Sequence, residues 1–317
     1  MLPRLVLLVL GLITAAAALA QFPSRPITIL VPIPPGGAPD IAARVIGQKL
    51  AENLGQPVVI ENKVGANGNI ASDQVAKSQP DGHLLGLLAD SQIAINPHLY
   101  KMPLDTLRDL TPVTPVAVNQ FVLTVHPSLP VRTFPEFIEY ARKAKPPLAY
   151  ASGGNGSQHH LTMEMLKQRT GIDLLHVPYK GGAPAATATV AGDTMAMWSG
   201  SSNAPQIKAG RLRPLAVSGA QRSAQYPELP TIGEFYPGFE NSIWLGLFGP
   251  ASIPDPILSK LRMELKRVLE SPDVKQKLNA AGGLDPYVAT PEEFAALIRR
   301  DHAKYAKVVK DLGIKVD

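Results

Sequence analysis

The 317-residue chain contains no cysteine. Disulfides, thiolate metal sites and cysteine nucleophiles are therefore excluded. So is the acylated anchor of a lipoprotein, whose processing needs a cysteine directly after the signal. The sequence carries no G-x-x-x-x-G-K-[ST], no G-x-G-x-x-G after a strand, no G-x-S-x-G and no H-E-x-x-H. The phosphate-cradling, dinucleotide, serine-hydrolase and zincin signatures are thus all missing. No block of Lys and Arg with interleaved aromatics occurs, which argues against nucleic acid as a partner. Beyond residue 20 no apolar stretch reaches the roughly 20 residues that a membrane-spanning helix needs.

Residues 1–20 read as a cleavable secretion signal. Arg4 gives the positive start, residues 5–13 are apolar, and Ala18-Leu19-Ala20 meets the small-x-small rule, so the mature chain is expected to begin at Gln21. Pro3 and Arg4 interrupt the apolar run, against a membrane anchor. Removal of the signal takes away one basic residue and leaves a mildly basic mature chain of net charge +4. Its length suits two ordinary domains.

Strand and helix patterns alternate along the chain. Residues 27–33 form a β-rich run. A helical stripe of Ile41, Val45, Ile46, Leu50 and Leu54 follows and is closed by Gly55. A strand at 58–60, a short helix at 70–77 and a strand at 84–88 complete a βαβαβ unit with a parallel sheet. A second α/β unit starts near Asn119, with strands at 121–125, 148–151, 174–177, 195–198 and 212–218 and helices at 134–143 and 158–169. The end is helical, over about 254–281 and 291–312. No internal repeat or low-complexity tract is evident.

Two loops carry the candidate chemistry. The first is PPGGAPD, with Pro35, Gly36, Gly37, Ala38 and Asp40. The second runs through Ser152, Gly153, Gly154, Asn155, Gly156, Ser157 and Gln158. Each follows a strand and opens a helix. Glycine lets the backbone turn its N–H groups inward, and a helix start favours an anion. One such loop is explained by turn geometry alone. Two of them, one per unit and both beyond the carboxyl ends of strands, describe a cleft with an anion cradle on each wall, suited to a small carboxylate. His159 and His160 precede Glu164, but no third ligand accompanies them, and a capped, partly exposed histidine pair is the expectation; no metal or cofactor is expected. Trp198 and Trp244 read as packing residues.

Several segments together resemble a known family. They are FPSRPITILVPIPPGGAPDIAAR, QPVVIENKVGANGNIASDQVAKSQPDGHLL, INPHLYKMPLDTLRDLTPV, HVPYKGGAPA and APQIKAGRLRPLAVSGAQRS. They are similar, in order, to the Bug receptors, the TctC-like periplasmic receptors of tripartite tricarboxylate transporters. The resemblance runs from about Phe22 to the C-terminus. It implies an α/β, type II periplasmic-binding-protein fold, with two lobes around a ligand cleft: residues 21–118 and 226–317 as lobe 1, and 119–225 as lobe 2. It further implies a monomeric periplasmic protein that captures an organic acid for membrane permease subunits. The glycine loops, through to His159, would grip carboxylates largely by backbone groups and bridging waters. Tyr179, Lys180 and Gly181 of the PYKGGAP segment, and Ser91, belong to the implied site.

One departure from the family bears on the ligand. Many members carry an acidic residue where this chain reads Trp198-Ser199-Gly200-Ser201, and that acid could meet a ligand ammonium. Asp90 could supply a replacement charge or could be a capping carboxylate. The expected ligand therefore has carboxylates and no amino group. An enzyme on the same scaffold would need a nucleophile with a base in reach, and no convincing pair is present; a sensor presenting its ligand to a signalling partner is the other alternative.

Overall fold

The structure, a computed structural model, describes residues 22–223, 225–282 and 284–313. The expected cleavage point before Gln21 lies outside them. The first strands and helices alternate as β1 (Ile27–Val31), α1 (Ala38–Leu54), β2 (Val58–Asn62), α2 (Asn69–Ala76) and β3 (Leu84–Ala89). A π-helical turn over Ser91–Ile95 leads into α3 (Asn96–Leu99), and then come β4 (Leu110–Gln120) and β5 (Val122–Val125). The middle of the chain is α4 (Phe134–Lys143), β6 (Leu148–Ser152), α5 (Gln158–Thr170), β7 (Leu174–Pro178), α6 (Gly182–Ala191), β8 (Ala196–Ser199), α7 (Ala204–Lys208) and β9 (Arg213–Val217). It ends with β10 (Ser242–Pro250), α8 (Asp255–Glu270), α9 (Pro272–Gly282), β11 (Asp285–Pro286) and α10 (Pro291–Leu312).

These strands form two sheets, ordered β11-β4-β10-β3-β1-β2 and β7-β6-β8-β5-β9. In β1, Ile27, Ile29, Leu30 and Val31 are all fully buried, as befits a parallel strand covered on both faces. The stripe of α1 packs on that strand through Ala42, Ala43, Ile46 and Leu50, and Gly55 closes the helix in the left-handed conformation at φ 65°.

The structure departs from the sequence reading in three places. The 11-residue β4 was not expected. Pro112 and Pro115 argue against a strand, but they lie at the two points where register against β10 slips, where a missing N–H leaves no gap in the ladder. The single helix expected over 254–281 is two. Ser271 is extended (φ −68°, ψ 130°) because the ring of Pro272 disfavours the helical conformation in the residue before it. The return to the first unit does not fall at residue 226. Ile232 and Phe239 pack in the second sheet's core with Phe121 and Trp198, and Thr231 bridges Val217.

Two crossings join the sheets, and they decide where a ligand could sit. Strands β1, β2 and β3 are parallel. Strand β10 is antiparallel to both β3 and β4, so β4 ends at the same edge as β1 to β3. The chain passes from Gln120 through Phe121 straight into β5. Strand β5 is antiparallel to β8, which is parallel to β6, and β6 to β7. The carboxyl ends of the parallel strands of each sheet therefore face the crossings, and through them each other. Ser218 ties the crossings together. Its N–H donates to the Phe121 carbonyl (2.9 Å), its Oγ accepts from the Phe121 N–H (3.0 Å), and the same hydroxyl donates to the Asn241 carbonyl (2.5 Å).

Candidate ligand-binding cleft

The loop after β1 is held from within. The Asp40 carboxylate accepts from the Gly36 N–H (2.9 Å), from Arg44 (3.0 Å) and from Asn62 Nδ2 (2.9 Å). Burial opposes its charge, yet the hydrogen bonds from Arg44, Gly36 and Asn62 outweigh that and keep its carboxyl below the usual range. Asp40 is thus committed to shaping the loop, while Pro35 and Gly36 stay exposed. Helix α1 starts at Gly37 with no side-chain cap and with proline in its first turn. The N–H groups of Ala38 and Asp40 consequently have no partner within the helix.

On the second sheet the loops after β6 and β7 are knitted together. The Tyr179 N–H donates to the Ser152 carbonyl (3.0 Å) and that of Gly181 to the Gly153 carbonyl (3.2 Å). Gly154 has φ +121° and Gly181 φ +112°, values a side chain rarely tolerates. A Cβ on Gly154 would stand 3.2 Å from the Tyr179 carbonyl oxygen. Ser157 caps α5 by accepting from the His160 N–H (3.3 Å), and Asn155 is exposed at the loop tip. Helix α6 begins after Gly181 with no side-chain cap. Lys180 is exposed beside it, and Tyr179 and Gly200 are partly so. Ser199 is buried, its hydroxyl paired with that of Thr124 at 2.7 Å.

Two histidines brace the first of these loops from behind. His160 is buried, against the partly exposed pair expected, and its Nδ1 accepts from the Gly156 N–H (3.1 Å). That ring stacks on His176 with centroids 4.0 Å apart, and His176 Nε2 pairs with Ser152 Oγ at 2.6 Å. Both rings are neutral at pH 7: burial lowers the pKa of His160, and burial followed by repulsion from His160 takes His176 down to about 4.

Asp90 does not open into the cleft. It is fully buried and pairs with Gln158 at the start of α5. Gln158 Nε2 also lies 3.1 Å from Tyr305 Oη, the tyrosine donates to Asn241 Oδ1 (2.9 Å), and Asn241 Nδ2 donates to Thr162 Oγ1 (2.6 Å). This buried network clamps α5 of the second sheet against α10 and the end of β3. Leu161 adds to it by packing with Ala94, Ile95 and Tyr305. Ser91 opens the π turn beside Asp90 and is partly exposed.

The sequence reading paired PPGGAPD with SGGNGSQ. In the structure a closer match to the first loop is Gly181-Gly182-Ala183-Pro184, which repeats Gly36-Gly37-Ala38-Pro39. Both Gly-Gly-Ala-Pro runs open a helix without a side-chain cap, one beside each sheet. The shared run was the signal available in the sequence.

Comparison with known proteins agrees with this architecture. The model of the tripartite tricarboxylate transporter family receptor, TctC, matches residues 42–314. Rpa4515 of R. palustris, solved with adipate, superposes with a TM-score of 0.87 at 34% identity over 93% of this chain and 99% of its own. The periplasmic binding protein BugD gives 0.84 at 31%, over 93% and 99%. MatC of Rhodopseudomonas palustris, with bound malate, gives 0.81 at 30%, over 91% and 100%. With a family model spanning most of the chain and solved relatives matched along nearly their whole length, this chain belongs to the TctC family of solute-binding receptors.

Proposed function

We propose that the protein captures a small organic carboxylate, without an amino group, in the cleft between its two sheets, and that it delivers the ligand to the permease of a tripartite transporter. The observation that carries this reading is the pair of uncapped Gly-Gly-Ala-Pro helix starts, one beside each sheet. Unpaired N–H groups at a helix start attract an anion. Asp40 of the first loop and Asp90 after β3 are both buried and engaged with Arg44 and Gln158. Asp40 is already paired with Arg44, and burial disfavours the ionised form of Asp90, so a ligand ammonium there would be an uncompensated buried charge, which is costly. The lobes of this reading divide at Phe121 and Asn241, where Ser218 ties the crossings. Relatives that hold adipate and malate support the ligand class.

A thermal-shift panel of organic acids tests it. A ligand at a hundred times its Kd stabilises the folded state by about 2.7 kcal/mol, which raises the melting temperature of a protein this size by about 4 °C. No shift with any acid would sink the reading, and a larger shift with aspartate or glutamate would overturn its amino-free part. Recovery of the bound acid unchanged after long incubation separates a receptor from an enzyme. The same reading places the mature protein in the periplasm, starting at Gln21. The intact mass of the exported protein checks this, and retention of residues 1–20 would refute it.

A further inference from the structure

His159 is the one histidine of its neighbourhood that the fold leaves unused. His160 and His176 are both hydrogen-bonded to the glycine loop. The ring nitrogens of His159 have no hydrogen-bond partner among the described residues, although the side chain is only partly exposed. The ring lies against Phe121 of the crossing, with centroids 4.6 Å apart and a tilt of 38°. It fills the space that two glycines leave. A Cβ on Gly153 would stand 3.2 Å from its Nδ1, and one on Gly182 would stand 3.4 Å from its Cε1 and Nε2. The uncapped start of α6 is therefore immediately beside a polar ring that satisfies nothing. Its nitrogens, on a partly exposed side chain, are left free to meet a ligand at that helix start.

We propose that His159 is the specificity-determining residue of the cleft, reading the second carboxylate of a linear dicarboxylate whose first carboxylate rests at the start of α1. This rests on the carboxylate-receptor reading above. An imidazole N–H aimed at an anion gives a charge-assisted hydrogen bond, stronger than a neutral one. It also couples capture to protons. Burial alone holds the His159 pKa down to about 4, so the free protein carries a neutral ring at pH 7. The elements packed on it bring no carboxylate: Phe121 at the crossing, Gly153, and Gly181 and Gly182 with Tyr179 and Lys180 in the same turn; His160, next along α5, is neutral. An anion docked against the ring favours its protonated form. Affinity for a dicarboxylate then rises as pH falls, while affinity for a monocarboxylate of equal length does not.

The test compares α,ω-dicarboxylates of three to eight carbons with monocarboxylates of matched length, by calorimetry on the purified protein at pH 6 and pH 8. His159→Ala is expected to weaken the best diacid about 10- to 100-fold, the span of a lost hydrogen bond to a charged group, and to leave the monoacid within about twofold. His159→Gln, which keeps an N–H donor, recovers most of the diacid affinity but not its pH dependence. In the wild type the His159 pKa, followed by NMR, rises with the diacid and not with the monoacid. Equal weakening of both acids in His159→Ala would mean a packing role, and an unchanged diacid would mean no contact; either overturns the inference. If no acid binds the wild type, the receptor reading itself has failed.

Discussion

With Gly154→Val the protein is expected to fold and to lose ligand capture by at least about a hundredfold. Gly154 sits at φ +121°, where a β-branched residue is a genuine outlier. Its Cβ would also press on the Tyr179 carbonyl at 3.2 Å, a backbone atom fixed by the knit between the two loops. Neither conflict is relieved by turning a side chain, so the loop must move. The loop is tied through the same residue: the Gly154 N–H donates to Ser152 Oγ (3.1 Å) and its carbonyl accepts from the Ser157 N–H (3.1 Å). A shift there displaces the loop tip at Asn155 and the N–H groups of Gln158 and His159 at the start of α5 together. The core is untouched, because the loop tip is exposed while the apolar cluster of Leu123, Tyr150 and Trp198 lies beneath the sheet. Gly210→Ala is the control. It places a side chain in the left-handed region at φ +70° with nothing within 4 Å, so it tests the effect of a Gly substitution at positive φ away from the loop. Loss of the ligand-induced melting shift in Gly154→Val but not in Gly210→Ala is the expected result. Normal binding by Gly154→Val would remove this loop from the site.

What could be read from the sequence was local. The apolar run of β1, the stripe of α1 with Gly55 behind it, and the glycine loops all announce themselves within a few residues, because helix and strand periodicity and turn chemistry act over that range. Features set by contacts distant in sequence could not be read in the same way. Strand β4 carries two prolines, and its pairing partner β10 lies more than a hundred residues on, so only the finished sheet shows that the prolines fall at register slips. The brace formed by His160 and His176 joins two separate elements, and so the sequence offered only an adjacent His-His pair. The start of α6 was within reach, since Gly-Gly-Ala-Pro occurs twice, but the expectation of a carboxylate grip rested on the longer glycine run of SGGNGS. Asp90 was the hardest. At the end of an apolar strand it reads equally as a cap or a cleft charge, and its actual partners, Gln158 and, beyond it, Tyr305 and Asn241, are scattered over the chain.

Those partners give Asp90 a defined thermodynamic signature. Asp90→Asn is expected to raise the melting temperature by several degrees at pH 8, with the gain shrinking toward pH 4. The carboxyl is fully buried, and its Oδ1 has no hydrogen-bond partner. Burial first, and then repulsion from Asp301, push its pKa well above the ordinary value of 3.8; the Ser91 N–H, Lys304 and Gln158 pull the other way without offsetting this. Below pH 3.8 the carboxyl is protonated in both the folded and the unfolded chain, and the residue adds no pH dependence. Above it the unfolded chain ionises first. The folded form then holds a proton the unfolded form has lost, so stability falls as pH rises, by about 1.36 kcal/mol per unit, until the folded carboxyl also ionises. Asparagine keeps the shape and the oxygen that accepts from Gln158 but cannot ionise, and it escapes that loss. A melting temperature lowered at pH 8 would show instead that Asp90 is ionised and held by Lys304. Affinity for a carboxylate ligand should stay within a few-fold in the same variant, because Asp90 is fully buried and engaged with Gln158. If aspartate or glutamate binds tightly and Asp90→Asn abolishes that binding, then Asp90 meets a ligand ammonium and the amino-free reading of the cleft is wrong.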